Sequence, residues 1–335
     1  MKKKIAMLGV FTSICLGIVG CGKKKEQTEV PSIALNETSN TQEMETIEDT
    51  TKENNPLASV TFIDDLENQV VVERPQKVAV LSGSFANIWK LAGGEIYATS
   101  EDAWDDEGLQ LTDDVVNVGS LKTPNVEEMI GAGVDFVILS ANIDGHKEIK
   151  DTLNRAGIAT AYFDVETFED YLNMLHICAQ ITGNEEAYKE NGEDVKAEIE
   201  EQIKRVDGTE KNVLLIRVSS SGAKARNSKN MTGKMLKDLG CTNIADSEKG
   251  LLEDLSMEAI IAQDPDYIFV TIMGDEEAGL KVVEELFTSN PAWSQLKAVK
   301  NNNYHVLEKE LFHNKPNNRW GESYKILADI LYGEQ

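Results

Sequence analysis

Short runs of buried-type residues alternate with helical segments along most of the chain, and this alternation begins a second time beyond the midpoint. The first series opens with Val78 to Leu81 and a helical stretch from Phe85 to Leu91, and the second opens with Val213 to Ile216. Strands separated by helices are typical of a parallel sheet that is covered on both faces. The sequence therefore predicts an α/β fold with two lobes.

One segment of the first series has a counterpart in the second. Residues 125–139 align with residues 256–270 without a gap, and each segment begins with an N-cap residue type and ends with Asp, an aromatic residue and a buried strand. Both have Glu at the second helical position, Glu127 and Glu258. Only this Glu, one Ile and the Asp are identical, so the pair indicates repeated architecture without proving duplication.

The N-terminus has the pattern of an export signal. Three lysines precede an apolar run from Ile5 to Ile18, and the run ends at Gly20 and Cys21 in a sequence that resembles the lipobox of bacterial lipoproteins. We expect cleavage before Cys21 and lipidation of that residue, which would anchor the protein to the membrane outside the cytoplasm. The alternative is an ordinary signal peptide followed by a chance Cys.

The segment after Cys21 differs in composition from the rest of the chain. Residues 22–58 are rich in Thr, Glu, Asn and Ser with few large apolar residues, which is typical of a flexible tether. The whole chain has a formal net charge of −25, which argues against nucleic acid as a partner. The predicted organisation is a signal peptide (1–20), a lipid-anchored tether (21–58), an N-terminal α/β lobe (59–166), a helical linker (167–206) and a C-terminal α/β lobe (207–335).

The linker is predicted from its helical periodicity. A first helix ends near Gly183, and a second extends from about Glu185 to Val206, which at about 1.5 Å per residue is roughly 30 Å long. A helix of that length can brace two lobes. Cys178 and Cys241 are predicted to be buried thiols.

Four runs in register resemble the substrate-binding lipoproteins of ABC importers for iron complexes and vitamin B12. These runs are DLENQVVVERPQKVAVLSGS, VGSLKTPNVEEMIGAGVDFVILS, LSMEAIIAQDPDYIFV and NPAWSQLKAVKNNNYHVL. The resemblance covers about residues 59–333. It implies two Rossmann-like lobes joined by a long helical linker, the helical-backbone class of periplasmic-binding-protein-like folds. It also implies a monomer that has no cofactor and binds a large chelate in the cleft between the lobes.

The resemblance also assigns a role to the two Glu residues of the repeat. Members of the family carry one Glu on each lobe that pairs with Arg on the permease, and the matching positions here are Glu127 and Glu258. The alternative is that both residues only complement helix dipoles, which is worth about 0.3–1 kcal/mol each.

Local charge in the second lobe indicates the type of ligand. The stretch from Lys211 to Lys237 has seven basic residues and no acidic one. Lys224 and Arg226 are predicted to lie in a loop between a strand and a helix, where backbone N–H groups also favour anions. The residues expected to face them from other loops are Lys122, His313 and Arg319. This charge predicts an anionic ligand such as a ferric siderophore with carboxylate or catecholate oxygens.

Other candidate ligand-binding residues follow from the same topology. The loops at the carboxyl ends of parallel strands line the cleft between sheets, and they include Ser84, Asn142 and Met273. Trp104 and Trp320 are candidates for stacking on a ligand ring. For Trp320 a position in the core is an equal alternative, because it begins the last amphipathic helix.

Two other ligands bound by members of this family fit the sequence less well. Haem binders use Met and His as axial ligands, but the matching positions here are Lys122 and either Ile272 or Met273, which disfavours haem. The family's cobalamin binder has a Trp at the position that matches Leu121. This difference weakens cobalamin as an alternative ligand without excluding it.

Two other classes of protein have weaker support. Importers of bare Zn or Mn need clustered His and carboxylates, and the four His here show no such spacing, so no metal site is predicted. A surface-anchored hydrolase is the rival from another class, but Gly83-Ser84 has no GxSxG context and no Ser, His and Asp set stands out. The chain is not expected to be an enzyme.

Overall fold

A computed structural model describes residues 59–334 of the chain, except residues 107 and 254. The predicted signal peptide, the predicted tether and the lipidation site Cys21 lie outside the described residues. Among the helices of the described part, none is long and apolar enough to span a bilayer.

The first lobe begins with an antiparallel hairpin, β1 (Val60–Ile63) and β2 (Gln69–Val72), as its alternating apolar residues predict. A five-stranded parallel sheet follows in the order β5-β4-β3-β6-β7. Its strands are β3 (Val78–Val80), β4 (Ala98–Thr99), β5 (Val116–Asn117), β6 (Phe136–Ser140) and β7 (Ala159–Phe163). Its helices are α1 (Gly83–Leu91), α2 (Val126–Ala132), α3 (Asp144–Glu148) and α4 (Lys150–Arg155), with a 3-10 turn at Glu101–Asp105.

Two long helical segments follow the first lobe. The first, α5 (Phe168–Thr182), begins at a capping box between Thr167 and Asp170 and ends where Gly183 adopts the left-handed conformation. The second consists of α6 (Glu185–Tyr188), a π-helical turn (Lys189–Glu193) and α7 (Asp194–Ile203). The second segment therefore ends three residues before the predicted position.

The second lobe repeats the parallel arrangement, with strand order β10-β8-β11-β12. One additional strand pairs antiparallel with β8. The strands are β8 (Lys211–Ser219), β9 (Gly222–Arg226), β10 (Cys241–Asn243), β11 (Tyr267–Ile272) and β12 (Tyr304–Val306). The helices are α8 (Met231–Asp238), α9 (Ile244–Ser247), α10 (Gly250–Glu253), α11 (Met257–Gln263), α12 (Glu276–Val283), α13 (Lys297–Lys300), α14 (Lys309–Phe312) and α15 (Trp320–Tyr332). A π-helical turn (Glu284–Thr288) and 3-10 turns (Trp293–Gln295, Asn317–Arg319) complete the lobe.

The strand β9 corrects one expectation. Lys224 and Arg226 were expected in a loop before a helix, but both lie on β9, and the helix α8 begins only at Met231. The run Ser219-Ser220-Ser221-Gly222 turns the chain back on β8 instead of leading into a helix. The helix-terminus argument for anion binding therefore does not apply at this position.

The sequence repeat is also a structural repeat. The helices α2 and α11 each begin at an N-cap side chain, Asn125 or Ser256, that accepts a hydrogen bond from the backbone N–H three residues later. Each ends in a left-handed residue, and β6 or β11 begins three residues after it. Among the described residues, Cys178 and Cys241 are free thiols, and both are buried.

Candidate ligand-binding cleft

A cavity of about 640 Å³ lies between the two lobes. Its first-lobe wall contains Ser84, Asn87, Asp102 and Asp106, and its second-lobe wall contains His313, Lys315, Asn317 and Arg319. A smaller cavity of about 170 Å³ shares Ser84 and Lys315 with it and adds Asn142 and Asp164. The combined volume is in the range of small-molecule sites, which are typically 300–1,000 Å³.

The hairpin of β8 and β9 arranges three basic side chains in one register. Arg217 pairs directly with Lys224, and Arg226 is two residues further along β9, so side-chain alternation places all three on one face. Like charges directly opposite each other across a strand pair are destabilising. None of the three has an ion-pair partner among the described residues. The hairpin therefore holds positive charge that the rest of the described lobe does not neutralise.

His313 lines the cavity and lies near charged residues of this hairpin. Burial and, to a smaller extent, the nearby charges of Arg217, Lys309, Lys315 and Arg226 together lower the pKa of His313 to about 4. His313 is therefore neutral at pH 7 and sits among cations. Burial and the neighbouring Arg226 also lower the pKa of Arg217. Arg217 and Arg226 are therefore close enough to act on His313 of the cavity wall, although neither of them lines the cavity.

Two other cations of the cavity wall already have partners. Lys315 forms an ion pair with Glu166, with 3.3 Å between Nζ and Oε1. Arg319 makes a two-pronged contact with Glu322, at 2.7 Å from Nε and 3.0 Å from Nη2. Arg319 lines the cavity as predicted, but its guanidinium would have to exchange Glu322 for a ligand anion.

The first-lobe wall carries carboxylates that the sequence did not single out. Asp102 accepts hydrogen bonds from the backbone N–H of Gly83 (2.8 Å) and from the Ser100 hydroxyl (2.6 Å). It thereby fixes the start of α1 below Ser84. Burial raises the pKa of Asp106, which also accepts a hydrogen bond from the Gly108 N–H. The two walls of the cavity therefore differ in the sign of their charge.

Ser84 and Asn142 lie where the topology predicted. The carbonyl of Ser84 accepts a hydrogen bond from the Asn317 amide at 3.0 Å, which crosses between the lobes. The side chain of Asn142 is exposed and donates to Asp164. Both line a cavity at the carboxyl ends of β3 and β6.

Trp320 is not placed for ligand stacking in this structure. It is 1% exposed, and its ring meets Phe168 edge-on with 5.9 Å between centroids. The core alternative is therefore correct, because the amphipathic helix α15 begins with its apolar face already turned inward. The indole Nε1 has no hydrogen-bond partner among the described residues.

Five further candidates line neither cavity. Lys224 and Arg226 lie on β9, and three others are exposed beside residues that line the larger cavity. Trp104 is 43% exposed on the turn that also holds Asp102, and Met273 is 40% exposed beside Gly274. Lys122 is exposed next to Leu121. Closure of the lobes or a bound ligand would be needed to bring these side chains into contact with cargo.

Glu127 and Glu258 occupy equivalent positions in the first turns of α2 and α11. Both side chains are exposed, and neither has an ion-pair partner in the part of the chain that the structure describes.

The fold and the cleft define a two-lobed binding protein in which helical segments follow the first lobe and precede the second. Comparison with known families agrees: residues 78–311 match the model of the periplasmic binding protein family. The chain belongs to this family, whose members are solute-binding proteins.

Individual relatives carry more detailed names. The chain is 22% identical over 313 residues to the iron-uptake system-binding protein of Bacillus subtilis, covering 91% of this chain and 90% of the relative. It is 25% identical over 260 residues to the Fe(3+)-citrate-binding protein YfmC of the same organism, covering 74% and 78%. Its fold matches that of the Bacillus subtilis triscatecholate siderophore binding protein FeuA, solved with ferri-bacillibactin, with TM-score 0.65, 20% identity, and coverage of 82% and 99%.

Proposed function

We propose that this protein is the extracytoplasmic substrate-binding lipoprotein of an ABC importer, and that it captures a ferric-siderophore-type iron complex in the cleft between its lobes. It would act as a monomer without enzymatic activity, remain attached to the membrane through a lipid at Cys21, and deliver its cargo to the permease through Glu127 and Glu258.

The face of the β8–β9 hairpin carries this proposal. Arg217, Lys224 and Arg226 repel one another in the unliganded protein. An anionic chelate bound near His313 would offset that repulsion and accept paired hydrogen bonds from the guanidinium groups. Relatives named for iron uptake and Fe(3+)-citrate binding support an iron complex as this anion.

The N-terminal sequence supports a location outside the cytoplasm. The lysine-rich start, the apolar run and Cys21 form a lipoprotein signal, and the acidic chain that follows suits a soluble domain on a tether. Labelling cells with a fatty acid analogue should mark the protein, and Cys21→Ser should abolish that label.

Titration of the mature chain tests the ligand. We expect ferric citrate or a ferric catecholate to change tryptophan fluorescence in a saturable way, whereas cobalamin and haem should not. Binding of cobalamin alone would replace the iron assignment with the corrinoid one, and failure of all four probes would contradict the proposal.

Arg226→Gln tests the anion site. Loss of a charge-assisted hydrogen bond should weaken binding of the anionic chelate by about 1.5–3 kcal/mol, or roughly 10- to 150-fold in Kd. A neutral ferric trihydroxamate, if bound, should lose much less. Arg155→Gln is the matched control, because Arg155 is exposed on α4 in the first lobe. Equal losses of affinity for the anionic and the neutral chelate would show that Arg226 does not bind the anion.

A further inference from the structure

The two walls of the larger cavity differ in the charged groups that they carry. The first-lobe wall contains three carboxylates, Asp102, Asp105 and Asp106, and no basic residue. The charged residues of the second-lobe wall are mostly cations and comprise Lys309, Glu310, Lys315 and Arg319. An anionic chelate bound near His313 accounts for the cations but gives the acidic wall no role.

The carboxylates of the first-lobe wall have no cation bound to them. None of the three forms an ion pair within the part of the chain that the structure describes. Burial raises the pKa of Asp106, and the negative charge of Asp102 acts in the same direction. The charge of Lys90 acts on Asp106 in the opposite direction, but the Lys90 ammonium donates to the Leu109 carbonyl and does not line the cavity. A cation inside the cavity would therefore be attracted to this wall.

A path of hydrogen bonds leads from the acidic wall to a buried side chain of the second lobe. The Asn87 amide donates to the Asp106 carboxyl, and the Asn87 carbonyl oxygen accepts from Nδ2 of Asn317 at 3.1 Å. Asn317 lines the same cavity and is 3% exposed. Its Nδ2 also donates to the Ser84 carbonyl at 3.0 Å. These bonds fix the orientation of the Asn317 amide, with Nδ2 toward the first lobe.

The Oδ1 atom of Asn317 is left without a donor. It is buried and has no hydrogen-bond partner among the described residues. A buried polar atom without a partner is unfavourable, so a donor supplied by a ligand would stabilise it. The ionised carboxyl groups of Asp102 and Asp106 likewise accept hydrogen bonds and cannot donate them. This end of the cavity therefore requires hydrogen-bond donors and positive charge at the same place.

We propose that the first-lobe end of the cavity is a subsite for a protonated amine on the bound chelate. An ammonium group has three N–H donors and one positive charge, so it would offset the charge of the carboxylates and donate to Oδ1 of Asn317. The cargo would then be dipolar, with its anionic iron centre toward the second lobe and its amine toward the first. This inference rests on the proposed function and narrows the class of chelate that the cleft binds.

Two matched chelates test the subsite. One is a ferric tris-catecholate with a free primary amine on its scaffold, and the other is the same chelate with that amine acetylated. Tryptophan fluorescence titration of the mature chain at pH 7 should give a Kd at least tenfold lower for the free amine, because acetylation removes the charge. Equal affinities would overturn the subsite alone, whereas no response to either chelate would overturn the subsite and the proposed function together.

Variants of the acidic wall assign the preference to its carboxylates. Asp106→Asn should reduce the preference for the free amine to less than threefold, and its side-chain oxygen can still accept from the Gly108 N–H. Asp105→Asn is a second variant of the same wall, at an exposed position. Asp113→Asn is the matched control, because Asp113 is exposed in the first lobe and does not line the cavity. The ratio of the two Kd values isolates the amine, since a general disturbance of the cleft would change both. A preference retained by both wall variants, or lost equally in the control, would overturn the proposal.

A third chelate separates charge from hydrogen bonding. A trimethylammonium group in place of the amine keeps the positive charge but has no N–H to donate to Asn317. We expect its affinity to lie between those of the acetylated and the free-amine chelates. Affinity equal to that of the free amine would overturn the role of Asn317, and affinity equal to that of the acetylated chelate would overturn the role of the carboxylates.

Discussion

Three histidines of the described chain lie in surroundings that disfavour their charged form. His146 is fully buried, where its Nδ1 accepts from the Ser140 N–H at 2.9 Å and its Nε2 lies 2.7 Å from the Leu121 carbonyl. Burial lowers the pKa of His146, and it lowers the pKa of His305 as well. Burial also lowers the pKa of His313, and the cations around it have the same effect.

These histidines predict a loss of stability in mild acid. The unfolded chain binds a proton at each position below its ordinary pKa of 6.5, whereas the folded protein resists protonation, in the case of His313 down to about 4. The free energy of unfolding should therefore fall as the pH drops from 6.5 toward 4, by at most about 1.4 kcal/mol per pH unit for each histidine.

His313→Gln isolates one contribution. We expect the unfolding free energy of the variant to decline less steeply between pH 6.5 and pH 4 than that of the unaltered protein. The reason is that the variant lacks one histidine that the folded protein keeps unprotonated. Urea titrations of the unliganded protein at a series of pH values measure both slopes. Identical slopes would contradict the assignment.

At the scale of elements, the β8–β9 hairpin depends on its contact with α8. Gly233 lies in α8 against the loop that follows β9, and a Cβ at this position would be 2.2 Å from the carbonyl oxygen of Asn227. The backbone of the loop cannot move away as a flexible side chain would. This close approach holds Asn227, the residue that follows Arg226 at the end of β9, against α8.

Two glycine substitutions should have opposite effects on stability. Gly233→Ala should lower the free energy of unfolding by about 1–3 kcal/mol, because the added methyl overpacks a backbone contact. Gly131→Ala in α2 meets open space and should raise it by about 0.5–1 kcal/mol through helix propensity. Urea unfolding measures both, and a stabilising Gly233→Ala would show that the loop yields.

At the scale of the molecule, one apolar core joins both lobes and the linker. Val80 of the first lobe, Leu175 of α5 and Leu215 of the second lobe belong to the same cluster of buried side chains. Polar contacts at the floor of the cleft add to it. Asn317 is 3% exposed and donates to the Ser84 carbonyl at 3.0 Å and to the Asn87 side chain at 3.1 Å.

This shared core predicts that the lobes unfold together. Thermal unfolding should show one transition in which circular dichroism and tryptophan fluorescence coincide. Trp89 and Trp104 lie in the first lobe, and Trp293 and Trp320 lie in the second, so replacing one of these pairs at a time with Phe separates the two signals. Different midpoints for the lobes within one preparation would show that the core does not couple them.

Local patterns in the sequence determined the alternation of strands and helices, the first hairpin and the repeat. These depend on periodicity, capping residues and turn residues, which act over a few positions and can be recognised without knowledge of the fold. The same patterns located Glu127, Glu258, Ser84, Asn142 and the basic stretch of the second lobe. The alternation also predicted two lobes, which the fold confirms, and the family resemblance added the cleft between them as the binding site.

Only the tertiary structure decided which basic residues converge and which aromatic residue is buried. Arg217 lies inside a strand, and it becomes part of a basic face only because β9 folds back and places Lys224 opposite it. Trp320 could face ligand or core with the same local sequence, and packing against Phe168 determined the outcome. Which charges lie close together, and which side chains are buried, depends on contacts between residues far apart along the chain. Strand register and packing decide these contacts, and no local pattern encodes them.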